Sequence, residues 1–301
     1  MPRAKPPAAR GRRAPDLATV VIPVRDGERW IADQLEALAG QEYGGAWEVV
    51  VADNGSRDDS ARVARSFAEQ LPALRVVDAG ARRGINHARN AGAGAARGDL
   101  LLFCDADDVV CAGWLGEMVE AAGDADLVGG RLRWDLLNDE LASSWRPKGE
   151  MTKLSATHGF LPYPAGGNLA VWADVARALG WDERFTYASS DQEFGWRAQL
   201  SGYAVAYAPQ AIVEQRLRGR LGAIAWQQLL HGISGPKLVR AFDPHGLPRP
   251  ENRAALERWR WLLTHVSHLW ESPALRGQWV RRAAFRLGRL VGSARYRTIC
   301  L

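Results

Sequence analysis

The run Leu100-Leu101-Leu102-Phe103-Cys104 stops abruptly at three carboxylates, Asp105, Asp107 and Asp108. A short, continuous apolar run bounded by polar residues suits a strand buried on both faces of a parallel sheet. Open α/β sheets bind their ligands at the carboxyl ends of such strands, which is where these acids fall. Residues two apart on an extended chain point the same way, so Asp105 and Asp107 can reach one cation. Carboxylates this close repel one another unless a cation or a proton lies between them. Hard oxygen ligands favour Mg2+ or Mn2+, and magnesium commonly shares its site with substrate phosphates. The competing reading is a solvated acidic turn after a strand.

The segments before the acids alternate between two periods. Ala18 to Val24 and Trp47 to Ala52 are β-branched, apolar runs, each followed by a turn, Arg25-Asp26-Gly27 and Asp53-Asn54-Gly55-Ser56. Between them Trp30, Ile31, Leu35 and Leu38 recur at helical spacing, and Gly40 can end that helix. A second helix follows to about Gln70, capped by Ser56 or Asp58, then a short strand over Leu74 to Val77. Asn86 to Ala96 is helical but carries Gly92 and Gly94, which lower propensity and point to close helix–sheet packing. It has neither the Gly-x-Gly-x-x-Gly nor the P-loop spacing of a phosphate cradle. This alternation predicts an α/β fold with a doubly wound, mainly parallel sheet flanked by helices.

Beyond Asp108 we expect a helix over Trp114 to Ala122 and a strand-like segment over Ala125 to Leu132. Asn138 to His158, with Trp145, Pro147 and Lys148, has no strong period and is long enough for a substrate-facing loop. Leu169 to Trp172 is apolar, and Ala173 to Leu179 is a short helix. Ser189-Ser190-Asp191-Gln192-Glu193 opens a helix running to Leu200, where acids in the first turn also serve the helix dipole. Tyr203 to Ala208 is the last strand, and from about Leu217 the chain is helical and rich in Arg and Trp.

Net charge is +5 overall, but it is divided. Residues 16–214 carry 18 Lys and Arg against 30 Asp and Glu, whereas residues 216–301 carry 16 against 4. An acidic body would repel phosphate backbone, which argues against nucleic acid as a partner and leaves the basic part free to meet an anionic surface. Within it, Trp279, Val280, Ala283, Ala284, Leu287, Leu290, Val291 and Ala294 share one helical face with arginines mostly elsewhere. Such a helix either lies in an anionic membrane interface or packs its stripe on the core. Three cysteines suit neither a disulfide framework nor a zinc site, and a reducing cytoplasm fits, with peripheral contact at the inner membrane face as an addition. The basic, Pro- and Ala-rich residues 1–16 are expected to be a disordered tail. Hence three parts are expected: that tail, a catalytic domain over 17–215, and a basic helical extension over 216–301. The six histidines form no metal-spaced cluster and read as surface or packing residues.

Five segments taken in order, TVVIPVRDGE, EVVVADNGSRDDS, ARNAGAGAARGDLLLFCDADD, GWDERF and SSDQEFGWRAQLSGY, resemble the family 2 glycosyltransferases of the GT-A fold. The resemblance covers roughly Leu17 to Arg216 and implies inverting transfer from a nucleoside-diphosphate sugar to a hydroxyl acceptor: a glycan, a lipid-linked sugar or a small molecule. It places Pro23 and Arg25 beside the base and ribose, Asp53 on the base, and Arg89 and Asn90 near the donor pocket. Asp105 is implied at the ribose and metal, Asp107 at the metal, and Asp191 as general base. Two positions depart from the pattern. Ser190 stands where many relatives carry Glu, and Glu214 stands where many carry a metal-assisting His, making Glu214 a third candidate ligand.

The chemistry asks for these residue types in its own right. A departing nucleoside diphosphate develops negative charge that a metal ion stabilises, and an attacking hydroxyl needs one carboxylate to take its proton. A protein that binds sugar nucleotides without catalysis is the alternative, against which the retained Asp105, Asp107 and Asp191 speak. A nucleotidyltransferase would show a Gly-rich basic loop after the first strand, which VIPVRDGERW lacks.

Overall fold

The computed structural model describes residues 11–146, 151–186, 188–248 and 252–300. Pro147 and Lys148 of the polar stretch, and residues 1–10 of the expected tail, lie outside them. Three strands build the first half of the sheet, β1 (Ala18–Val24), β2 (Trp47–Asp53) and β3 (Arg75–Asp78), all parallel. On the other side of β1 lies β4 (Leu100–Cys104), again parallel. Every residue of β1 and β4 is buried, as the unbroken apolar runs require. Each large apolar side chain among them contributes roughly 1.5–3 kcal/mol of burial. Val24 sits opposite Asp53, and Asp53 opposite Asp78, so these strands stop at one level and form a common ledge.

The second half is mixed. Among the described residues the sheet has eight strands in the order β3-β2-β1-β4-β7-β6-β8-β5. Here β5 is Val109–Val110, β6 Leu127–Arg133, β7 Asn168–Trp172 and β8 Val205–Glu214. β7 runs antiparallel to both β4 and β6, whereas β6 and β8 are parallel. The result is a mostly parallel α/β sheet.

Helices α1 (Ile31–Ala39), α2 (Ser60–Arg65), α3 (Ile85–Ala95), α4 (Trp114–Ala122) and α6 (Ala173–Leu179) connect the strands; α5 (Glu140–Ser144) lies in the polar stretch. A Cβ on Gly92 of α3 would collide with Val21 and crowd Ala52. The glycine therefore serves close helix–sheet approach, as its position suggested.

Residues 11–16 depart from the expected disorder. Arg12 donates to Asp126 at 2.6 Å and to Asp174 at 3.1 Å, and its guanidinium lies 5.1 Å from the Trp172 ring centroid. Two carboxylates and an indole face hold that arginine.

The late helix α7 (Ser190–Leu200) is followed, after β8, by α8 (Leu221–Phe242), α9 (Asn252–Thr264), α10 (His268–Glu271) and α11 (Pro273–Tyr296). The extension shares a core with the body: Trp196 of α7 and Phe185 pack with Leu238, Phe242 and Cys300. Between α8 and α11, Gly232 meets Phe285 O and Gly288 meets Leu229 O so closely that a Cβ on either would overlap backbone. The buried face of α11 is therefore Gly277, Gly288 and Gly292 with Arg289. Of the apolar stripe, Leu287, Leu290 and Val291 are exposed, whereas Trp279, Val280, Ala283 and Ala284 are half-buried. Among the described residues no helix is long and apolar enough to cross a membrane.

Candidate active site

At the carboxyl ends of β1, β2 and β4 opens a cleft of about 590 Å3. Pro23, Arg25, Arg89, Asp105, Asp107 and Asp191 all line it. Residues from separate stretches of sequence thereby meet in one place. The first loop is fixed by the second: Gly27 N–H donates to Ser60 Oγ at 2.8 Å and Asp26 N–H to Ser56 Oγ at 3.1 Å. Asp26 has φ +50, a left-handed conformation in which Asp is among the better-tolerated residues. Arg25 donates to Asn54 O at 3.1 Å, while its Nε is buried without a hydrogen-bond partner.

Arg89 is the tie between the two sides of the cleft. From α3 it donates to Asp105 Oδ1 at 3.3 Å and to Ser190 Oγ at 3.4 Å, with its guanidinium 4.6 Å from the Trp181 ring centroid. Trp181 is itself stacked on Phe194 of α7. Ser190 is thus the acceptor for a buried arginine, where a carboxylate would have paired with it. Gly166 and Gly167 leave room for this arrangement, since a Cβ on Gly167 would stand 2.5 Å from Asp105 Oδ2 and one on Gly166 2.8 Å from the Arg89 guanidinium. Asn90 is structural: it donates to Trp181 O at 2.9 Å and accepts from Trp181 N–H at 2.8 Å.

Desolvation, and then the charge of Asp105, push the Asp107 carboxyl above its ordinary range, against the pull of Arg218. Asp108 is pushed well above it by burial, Asp107 and Asp105, although its Oδ1 accepts from Arg216 N–H at 2.9 Å. Crowded, poorly solvated acids are the environment a divalent cation relieves. Among the described residues no group of three His, Cys, Asp or Glu could hold a metal. The chain therefore offers Asp105 and Asp107, a donor set that suits a hard ion completing its shell with phosphate oxygens and water.

Two predicted residues are absent from the cleft lining. Glu214 is 3% exposed and its carboxylate is taken by Arg133 Nε, with Leu136 N–H donating at 3.3 Å. It pairs across β8 and β6 and is outside the cleft, which corrects its reading as a metal ligand. Asp53 is absent from the cleft lining, and its Oδ1 accepts from Ser56 N–H at 2.9 Å. Its neighbour Asn54 lines the cleft instead, held by Ala79 O, Arg82 O and Gly84 N–H.

Asp191 lies in the first turn of α7, two residues after Ser189, whose φ of +62 is unusual for a non-glycine residue; such strain clusters at functional sites. Ser189 Oγ bonds Ser234 Oγ of α8 at 2.8 Å and does not cap α7. Asp191 Oδ1 accepts from the next residue's N–H, Gln192, at 2.9 Å. No side-chain hydrogen bond caps the start of α7.

Beyond the predicted site residues, the cleft has a further lining. Arg146, Gln215, Arg218, Gln227 and His231 line it. His231 is therefore a cleft residue, although its isolation from other histidines suggested packing. Desolvation pulls it below its ordinary value, Asp191 opposing and Arg146 assisting. Arg146 itself is pulled to about 10 by desolvation and by Arg281, and donates to Gln215 Oε1 at 2.9 Å. The polar stretch carrying Arg146 was the available signal. It is seated by the extension, with Trp145 Nε1 donating to Pro273 O at 3.2 Å and Gln278 Nε2 to Ser144 O at 2.9 Å.

The sequence profile described as "Glycosyl transferase family 2" matches residues 19–180. The chain belongs to that family. Among family relatives, glycosyltransferase AglE of Haloferax volcanii is 27% identical over 199 residues, 65% of this chain and 66% of that protein. The putative glycosyltransferase EpsH of Bacillus subtilis is 31% identical over 66% of this chain and 60% of its own length. The chain thus spans less than two thirds of these relatives. In fold, it resembles the mannosyltransferase PcManGT of Pyrobaculum calidifontis, solved with GDP-Man and Mn2+ (TM-score 0.61, 20% identity, 96% of this chain and 90% of that one). It also resembles TarS 1–349 of S. aureus, solved with UDP (TM-score 0.54, 15% identity, 92% and 91%). The family 2 chain therefore has the GT-A fold, with helices following the sheet.

Proposed function

We propose that this protein transfers a sugar from a nucleoside-diphosphate sugar to a hydroxyl acceptor, with inversion at the anomeric carbon. The observation that carries the reading is the meeting of Asp105, Asp107 and Asp191 in one cleft with Pro23, Arg25 and Arg89. The first loop and Asn54 take the nucleoside end of the donor; Asp53, at the adjacent strand end, is the candidate to read the base. Asp107, assisted by Asp105, is the place for Mn2+ or Mg2+, and the fold neighbour solved with GDP-Man and Mn2+ supports a divalent ion. When bound, that ion supplies charge stabilisation to the departing diphosphate.

The chain's own groups supply the rest. Arg89 fixes Asp105 and the start of α7 relative to each other. Asp191 takes the proton of the acceptor hydroxyl as oxygen bonds to carbon, so no covalent intermediate on the protein is required. Gln227, His231 and Arg146 form the acceptor side, beside the general base. Peripheral contact with an anionic membrane surface is supported by the exposed Leu287, Leu290 and Val291 on an arginine-rich helix.

The test is a thermal-shift panel of nucleotide sugars with and without Mn2+, followed by donor-hydrolysis assays of the stabilising ones. A ligand that binds the native state raises its apparent stability. A metal-dependent shift by one nucleotide sugar, with turnover, is the expected result. Stabilisation without hydrolysis or transfer to any acceptor would identify a binding protein instead.

A further inference from the structure

A second pocket, of about 350 Å3, lies between α8, α9 and α11. Arg258, Arg281, Arg282 and Arg286 line it, together with Trp261 and Phe285. We propose that this pocket binds a phosphate-bearing ligand, at a site separate from the cleft and independent of the transferase reading.

Four guanidinium groups share one small cavity, and none of them forms an ion pair with a carboxylate among the described residues. Arg281 Nε and Arg286 Nη1 are buried and have no hydrogen-bond partner. Buried polar groups are ordinarily satisfied, and buried charges ordinarily paired. Desolvation, followed by the charges of Arg258 and Arg289, pulls Arg286 down to about 10. Desolvation and the neighbouring Arg282 likewise pull Arg281 down. The pocket therefore holds positive charge that its own walls do not neutralise.

An anion of more than one charge is what relieves such a site. Planar guanidinium forks match phosphate oxygens in paired, charge-assisted hydrogen bonds. Trp261 holds one fork in place, with the Arg282 guanidinium 3.9 Å from its ring centroid. Phosphate can arrive here on a lipid headgroup or on a soluble molecule. The chemistry is shared, and the experiment separates the two sources.

The test uses the full chain with two probes. One is inorganic pyrophosphate in metal-free buffer, read by thermal shift. The other is co-sedimentation with phosphatidylcholine vesicles doped with phosphatidic acid. Arg281→Gln combined with Arg286→Gln should weaken binding of the responding probe at least about tenfold, as loss of a charge-assisted hydrogen bond implies. Arg260→Gln combined with Arg295→Gln removes the same charge outside the pocket and should leave binding close to wild type. Should the first pair fail to fold, the exposed Arg282→Gln serves in its place. A response to vesicles alone assigns the site to a lipid headgroup, and a response to pyrophosphate assigns it to a soluble phosphoryl group. Binding of neither probe, or equal loss in the pocket and control variants, overturns the proposal.

Discussion

Arg218 Nη1 lies 3.1 Å from Oδ2 of Asp107, although the two are far apart in the sequence. The guanidinium therefore stands against the carboxylate that a divalent ion would need. Half-exposed ion pairs of this kind are weak, about 0.2–1 kcal/mol. Arg218→Ala should accordingly tighten Mn2+ binding, measured alone by calorimetry, by about two- to fivefold. Asp107→Ala should abolish it. Weaker Mn2+ binding in Arg218→Ala would show that the arginine does not compete.

Asp191→Asn keeps the shape of the side chain and an oxygen to accept from Gln192 N–H. The fold and donor binding should persist, while transfer falls roughly 10²–10⁴-fold, the contribution of a positioned base. A variant that binds donor and transfers sugar near the parent rate would remove Asp191 from this role and make Glu193 the next residue to examine. Glu193, however, is already paired with Arg197 at 2.6 Å.

Glu214 offers a sharp contrast with Asp107. Its charge is buried against Arg133, so Glu214→Gln should lower stability by about 1–3 kcal/mol, the range for a charged hydrogen bond lost in the interior. Metal-dependent nucleotide binding should be unchanged. Loss of metal affinity at unchanged stability would restore Glu214 as a ligand.

Acid stability should depend on Glu48, which is 1% exposed. Burial alone would raise its pKa, but hydrogen bonds from Arg97 N–H, Arg75 and Thr19 outweigh that and hold it below the ordinary 4.5. A depressed native value contributes stability above the unfolded pKa, and loses it as pH falls through the native one. Denaturation scans from about pH 6 downward should therefore show a steeper loss below about pH 4.5 in the parent than in Glu48→Gln. Parallel pH curves for the two would contradict this.

Elements that announce themselves locally are legible in the amino-acid sequence. The runs ATVVIPV, WEVVVA and LLLFC are each apolar, β-branched or leucine-rich and closed by turn residues, and each is a strand close to its expected bounds. Asp105 and Asp107 follow the end of such a run, whereas Asp191, in the first turn of α7, was joined to them by the family resemblance. β8 runs on to Glu214, well past the expected Ala208, because Ile212, Val213 and Glu214 pair with Arg131, Leu132 and Arg133 beyond a register shift. That partnership is not written in the local sequence. Arg146, Arg218 and His231 escaped for the same reason: their place depends on how distant helices seat. The glycine face of α11 was hidden by the more conspicuous apolar one, since periodicity counts side chains and overlooks backbone-to-backbone contact.

The seat of Trp145 on the extension has a consequence for how such proteins diversify. A Cβ at Gly277 would strike the Trp145 indole, and Arg146 follows immediately in the chain. The segment carrying Arg146 and the start of α11 therefore depend on each other for their seating. Grafting another relative's tail onto this sheet would dislodge Arg146 unless its counterpart of the 140–146 segment came with it. Chimaeras should therefore be cut to keep both segments together.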